Sequence, residues 1–328
     1  QERAEGGTGS ESALVAPRPA YRLVRGGSAL LHFVLPAAPK EPVQIEILDS
    51  DGTVIRKLVA AQARAGLNRF SWDLRHEPPR TVALRTTPPK NPHIWEEPRF
   101  QNATTRPITH WGIAQAQVGP LAAPGSYTVR MTADGRVSAQ PLAVLLPPGN
   151  TGTEPEIKAS VKLQLRVRDN INIVADMTNQ IEWLRRQLED ARKPLAPQAG
   201  KEALVKTIDD FEAKMLAVED TLISRSEALS DDKYYQEAYK LYLNLIWLNG
   251  VVGTGAGDVA GSADYGPTDT AYTLVADLER ELDAAQAAYR ALIEKDVPAF
   301  NKANAGGGIP ELKLTGAPQA TAFPAQIR

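Results

Sequence analysis

Cysteine is absent from this chain, which rules out disulfide staples, thiolate metal sites and cysteine nucleophiles. Histidine is scarce, at four residues, so few imidazoles are on hand for catalysis or metal ligation. No run approaches the roughly 18 consecutive apolar residues of a membrane-spanning helix. The richest, Leu241 to Val252, is shorter and is interrupted by Asn244, Asn249 and Gly250. Also missing is the dense basic stripe with interleaved aromatics that marks a nucleic-acid binder. The chain opens on Gln1 rather than Met, so a trimmed start is expected, through signal-peptide removal or an expression boundary.

What is present is enough for two cores: 328 residues, 43% hydrophobic and 23% charged. The halves differ in charge. Residues 1–150 carry 17 Lys and Arg against 12 Asp and Glu, and residues 151–328 carry 20 against 27. Arginine dominates the positive charge of the first half, and it is the side chain suited to bidentate contacts.

Residues 1–15 read as a flexible, Gly-rich arm. From there to residue 146 the texture is β. Residues 28–35 and 43–48 alternate as half-buried strands do, the turn Asp49 to Gly52 leads into a return strand, and further strands follow at 68–74, 125–131 and 136–146. Short strands at this spacing predict an all-β immunoglobulin-like sandwich. A long Pro-rich insertion, 76–118, interrupts it and carries Trp95, Phe100 and Trp111.

A Pro- and Gly-rich linker spans 147–153, and the hydrophobic period then becomes helical. The first helix is expected over about Glu154 to Arg192. The second carries a heptad seam at Leu204, Ile208, Phe211, Met215, Val218 and Leu222. A tyrosine-rich third is expected over Tyr234 to Leu248, and a last one opens with Pro267. Together, residues 154–305 predict an antiparallel four-helix bundle, followed by an extended tail over 306–328. The fold class expected is α+β in two domains.

Certain motifs add to this reading. Residues 65–75 (AGLNRFSWDLR) and 123–130 (APGSYTVR) resemble the signature of FlgD-like immunoglobulin modules, found near the C-termini of secreted bacterial sortilin-like BNR-repeat propeller proteins. Pro267-Thr268 and residues 296–301 (DVPAFN) resemble the helical tail of that family. The resemblance implies an accessory module without the propeller, because the Ser-x-Asp-x-Gly-x-x-Trp box is missing. Where the family has Asp-Pro-Arg after its last strand, this chain has Leu146 to Gly149. Trp72 and Tyr127 then read as core anchors.

No residue is assigned a catalytic, cofactor-binding or metal-binding role. His32 falls in a strand. His93, Glu96, Glu97 and His110 mix imidazoles with carboxylates, but not at the helical spacing that aims two ligands at one ion. Residues 49–52 read as a hairpin turn rather than a calcium loop. The glycines of 253–257 follow a helix and not a strand, so they do not form a dinucleotide fingerprint. Partner binding is assigned to Trp95, Arg99, Phe100, Arg106 and Trp111 of the insertion, with Tyr234 and Tyr235 on the third helix. Tyr239 and Tyr242 add to a cluster too wide to be buried in one bundle.

The expected function is that of a non-catalytic, extracytoplasmic scaffold or docking subunit. It would be peripheral to a membrane and have no transmembrane segment of its own. It would bind other proteins of a membrane complex, a photosynthetic reaction centre with its antenna being one candidate. The alternative is an accessory module of a secreted BNR-repeat glycoside hydrolase-like protein, and an enzyme in its own right is the third class.

Overall fold

The computed structural model describes residues 11–24, 26–88, 92–108, 118–224, 238–255 and 260–317. Ten strands are described: β1 (Ala13–Leu14), β2 (Ala20–Tyr21), β3 (Ala29–Leu35), β4 (Val43–Leu48), β5 (Val54–Ala60), β6 (Gly66–Trp72), β7 (Ala83–Leu84), β8 (Arg106–Pro107), β9 (Gly125–Ala133) and β10 (Arg136–Leu145). They are followed by α1 (Glu154–Leu195), α2 (Glu202–Leu222), α3 (Leu241–Val252) and α4 (Asp269–Ala291). One π-turn, Leu292–Asp296, then joins α4 to α5 (Val297–Asn304).

The fold is mixed α+β, and it corrects the more specific expectation of an immunoglobulin-like sandwich followed by a four-helix bundle. The main sheet has the order β2-β10-β9-β4-β5 and curls into a half-barrel. It is mixed, because β2 joins β10 in parallel while the other pairs run antiparallel. A smaller sheet, β1-β3-β6, shares its hydrophobic cluster. Alternation supplies that cluster: Leu31, Phe33 and Leu35 of β3 point inward, as do Val43, Ile45 and Ile47 of β4 and Val129 and Met131 of β9. Trp72 lies fully buried at its centre, in edge contact with Tyr127 at a centroid distance of 5.8 Å. Both rings have a polar handle to satisfy: Trp72 Nε1 donates to the Arg75 carbonyl (2.9 Å), and the Tyr127 hydroxyl donates to that of Ala123 (2.7 Å).

The helices do not form a bundle of four equivalent members. α1 begins at a capping box in which Thr153 and Glu156 bond reciprocally, and it runs for 42 residues. It buries residues on most of its circumference, and α2, α3 and α4 all pack on it. α3 is only 12 residues long and buried nearly all round. It starts at Leu241 rather than Tyr234: residues 238–240 are not helical, and Tyr234 lies outside the described residues. α4 starts one position after Thr268, whose hydroxyl accepts from Ala271 N (3.2 Å), so Pro267 precedes the cap rather than opening the helix.

The insertion supplies the remaining cover for α1. Val82, Leu84 and Ile108 belong to the helical hydrophobic cluster and not to that of the sheets. Among the described residues β7 pairs with β8 alone, within the insertion itself.

Candidate functional site

An extended segment laid along a helix meets a surface with no free backbone groups, since the helix spends its own on itself. The partners must therefore be side chains. Here the strap, Arg80 to Thr87, is bonded to one polar stripe of α1. Arg80 N donates to Asn172 Oδ1 (2.7 Å), and the Arg80 guanidinium forks onto Asp176 (2.7 and 2.6 Å). Asn179 takes Ala83 N (2.7 Å) and gives to the Thr81 carbonyl (3.0 Å). Glu182 accepts from Arg85 N, from Thr86 N (2.8 Å) and from the Thr86 hydroxyl (2.8 Å). Arg186 reaches the Arg85 carbonyl (3.4 Å), and Glu189 accepts from Thr87 N (3.1 Å) and the Thr87 hydroxyl (2.5 Å).

The stripe Asn172, Asp176, Asn179, Glu182, Arg186, Glu189 advances by fours and threes, as one helical face must. The lengths agree as well. Seven extended steps at roughly 3.3 Å cover about 23 Å, and seventeen helical steps at about 1.5 Å cover about 25 Å.

Beneath the strap lies a buried ionic cluster. Arg185 Nη1 bonds Glu182 (2.7 Å) and Glu219 of α2 (2.6 Å), and its Nη2 bonds Glu212 (3.3 Å). Arg85 and Arg106 of the insertion are buried beside them. Counting Arg186 and Glu189 at the rim, four arginines face four glutamates. Burial pushes the Glu219 carboxyl well above the usual carboxylate range, with the neighbouring Glu182 adding to the shift and Arg185 opposing it. Burial also depresses Arg85 and Arg106.

The residues assigned to partner binding are distributed differently from the expectation. Phe100 (5% exposed) and Arg106 (3%) are buried in their own chain, so neither is an exposed anchor. Trp95 is half-buried, in edge contact with Phe100 at 6.5 Å, and its Nε1 donates to the Thr87 hydroxyl (3.1 Å). Trp111, Tyr234 and Tyr235 lie outside the described residues, as does the Arg99 side chain. Tyr242 is buried facing the strap, and its hydroxyl takes Val82 N (3.4 Å). The His93 side chain is 75% exposed and bonds Glu96 (3.1 Å), and His110 is outside the described residues. Among the described residues, no three His, Asp or Glu side chains converge on a position for a metal ion.

A second contact ties the sheets to the helices. Arg22, fully buried, donates to the carbonyls of Ala122 (3.1 Å) and Ala263 (3.0 Å) and pairs with Asp264. Arg75 bridges the Gly119 carbonyl (2.9 Å) and the Thr254 hydroxyl (3.2 Å). Backbones come so close here that only glycine fits. A Cβ on Gly152 would lie 1.6 Å from the Asp264 carbonyl oxygen, and one on Gly119 would lie 1.9 Å from that of His76. Sequence reasoning singled out neither the α1 stripe nor Arg22. The one available signal was the run of Asn and Asp in mid-helix, where such residues are poor helix formers and need another reason to be there.

No family model matches this chain, and no curated protein or solved structure matches it either.

Proposed function

We propose that this protein is a non-catalytic docking subunit that works outside the cytoplasm, against the face of a membrane complex. The observation that carries the reading is the strap, a long insertion fixed onto a helix by buried charge. Between its two fixed stretches, Ala83–Leu84 and Arg106–Pro107, residues 92–104 form an irregular tip of two 3-10 turns around the half-buried Trp95, with Ile94 and Phe100 buried beneath. An irregular tip on a rigid base is a common way to present contact residues. Among the described residues no helix is long and apolar enough to cross a membrane.

The second reading, an accessory module of a secreted propeller protein, rests on the resemblance to FlgD-like modules. Trp72 and Tyr127, the aromatics of that signature, belong to the sheet cluster, so the signature speaks to architecture and not to chemistry.

The test is co-purification from native membranes with tagged wild-type chain and with Trp95→Ala. Stoichiometric partners are expected with the wild type and should fall at least tenfold with the variant. Equal recovery of the same partners would contradict docking through the tip.

A further inference from the structure

The chain does not run off into solvent after α5. Gly306, Gly307 and Gly308 turn it, with φ of +73° at Gly306 and +94° at Gly308, and residues 309–315 lie back along the seam between α1 and α5. Ile309 and Leu312 are buried in the helical cluster, while Pro310, Glu311 and Lys313 stay exposed.

Two side-chain amides grip the main chain of this tail from opposite sides. Gln187 of α1 accepts from Lys313 N (2.8 Å) and donates to the Lys313 carbonyl (3.0 Å). Asn301 of α5 accepts from Leu312 N (2.9 Å) and donates to the Leu312 carbonyl (3.0 Å). Each amide thus satisfies both backbone groups of one residue, as a neighbouring strand would. Such bonds hold any extended chain, and selectivity is left to the two apolar sockets three residues apart. Open grooves of about 650 Å³ and 850 Å³ flank the tail. Trp183, in the wall of the first, has its Nε1 without an acceptor among the described residues. Main-chain bonding for affinity with side-chain pockets for selection is the way extended peptides are recognised.

We propose that the α1–α5 seam is a binding site for an extended apolar-Pro-x-apolar peptide, and that its occupant in trans is residues 309–315 of a second copy of this chain. That segment is the sequence whose fit is visible, and a three-glycine hinge connects it to α5. Moving it from its own seam to a neighbour's preserves every contact in the site. The balance is then set by protein concentration against the effective concentration of the tethered tail. This inference stands apart from docking through the strap.

The test places a specific protease site in the hinge of the full chain. After cleavage, a fluorescein-labelled peptide spanning residues 308–316 is added and followed by anisotropy. Saturable binding is expected, with at least tenfold weaker binding for a peptide carrying Leu312→Asp and for the Gln187→Ala/Asn301→Ala chain. Should that chain fail to fold, the peptide variant alone decides the point. In parallel, the uncut chain is sedimented at rising concentration. A dimer that grows with concentration and is lost on cleavage supports exchange. Absence of peptide binding overturns the site, and peptide binding with no dimer overturns the second copy as its occupant.

Discussion

The two hydrophobic clusters of this molecule are built on different terms. The sheet cluster packs apolar side chains around Trp72 and Tyr127, which close their polar ends on carbonyls three and four residues away, and the buried Arg22 is satisfied beside it by the Ala122 carbonyl. The helical cluster encloses Glu182, Arg185 and Glu219, and it is completed by a strap about a hundred residues distant in sequence. The first is held by area removed from water, which degrades gradually with small changes. The second depends on mutual satisfaction of buried charges, where loss of one member leaves the others stranded. Damage to the helical part should therefore be abrupt and should spread to the strap, while damage to the sheets stays local.

Glu182→Ala is the change that separates the two most. It strips three acceptor contacts from the strap and one partner from Arg185, and a loss of about 3–5 kcal/mol is expected. Hydrogen exchange should accelerate across 80–108 and 205–222 and stay unchanged across 29–72. Equal acceleration in both regions would erase the distinction.

Arg22→Ala attacks the bolt between the regions and should cost about 3 kcal/mol, because the guanidinium is fully buried while Asp264 keeps some solvent. With the wild type, a protease cut within 147–152 should leave two pieces that still co-elute, held by the strap and by Arg22. The variant's pieces, then held by the strap alone, should dissociate at a lower urea concentration than those of the wild type.

Much of the sheet part was legible in the sequence because alternation is local. The hairpin at Asp49 formed as read, with its carboxylate taking the N–H groups of Asp51 and Thr53, and β9 and β10 meet at the Asp134-Gly135 turn. The parallel docking of β2 on β10 was not legible, since two residues carry no period. Nor was the destination of Val82, Leu84 and Ile108: an apolar residue announces burial and not the address. Phe100 and Arg106 looked like surface anchors for the same reason. In sequence, a buried arginine balanced by Glu182 and Glu219 looks the same as an exposed one. The polar α1 stripe gave little to single it out, because charged residues at helical spacing usually face solvent.

Gly152→Ala places a methyl group against the Asp264 carbonyl and should cost about 1–3 kcal/mol, read as a lower midpoint in urea.

Acidity tests the join from another side. Burial, with Arg168 adding, depresses the His76 pKa to about 4, below the unfolded value near 6.5. Between these values the unfolded chain binds the proton and the folded chain does not, so stability should fall as pH drops from about 6.5 to about 4. His76→Gln should flatten that slope. Glu219 acts in the opposite sense. Its raised pKa means that the folded form keeps a proton the unfolded chain has lost, so its contribution fades as pH rises above the ordinary carboxylate range.

The most direct test of the docking account is a hydrogen-exchange footprint of the full chain bound to membranes of its own source. Protection over residues 92–104, with the helical stripe 172–189 unchanged from the free protein, is the predicted result. An unaltered 92–104 with protection elsewhere on the molecule would contradict docking through the strap.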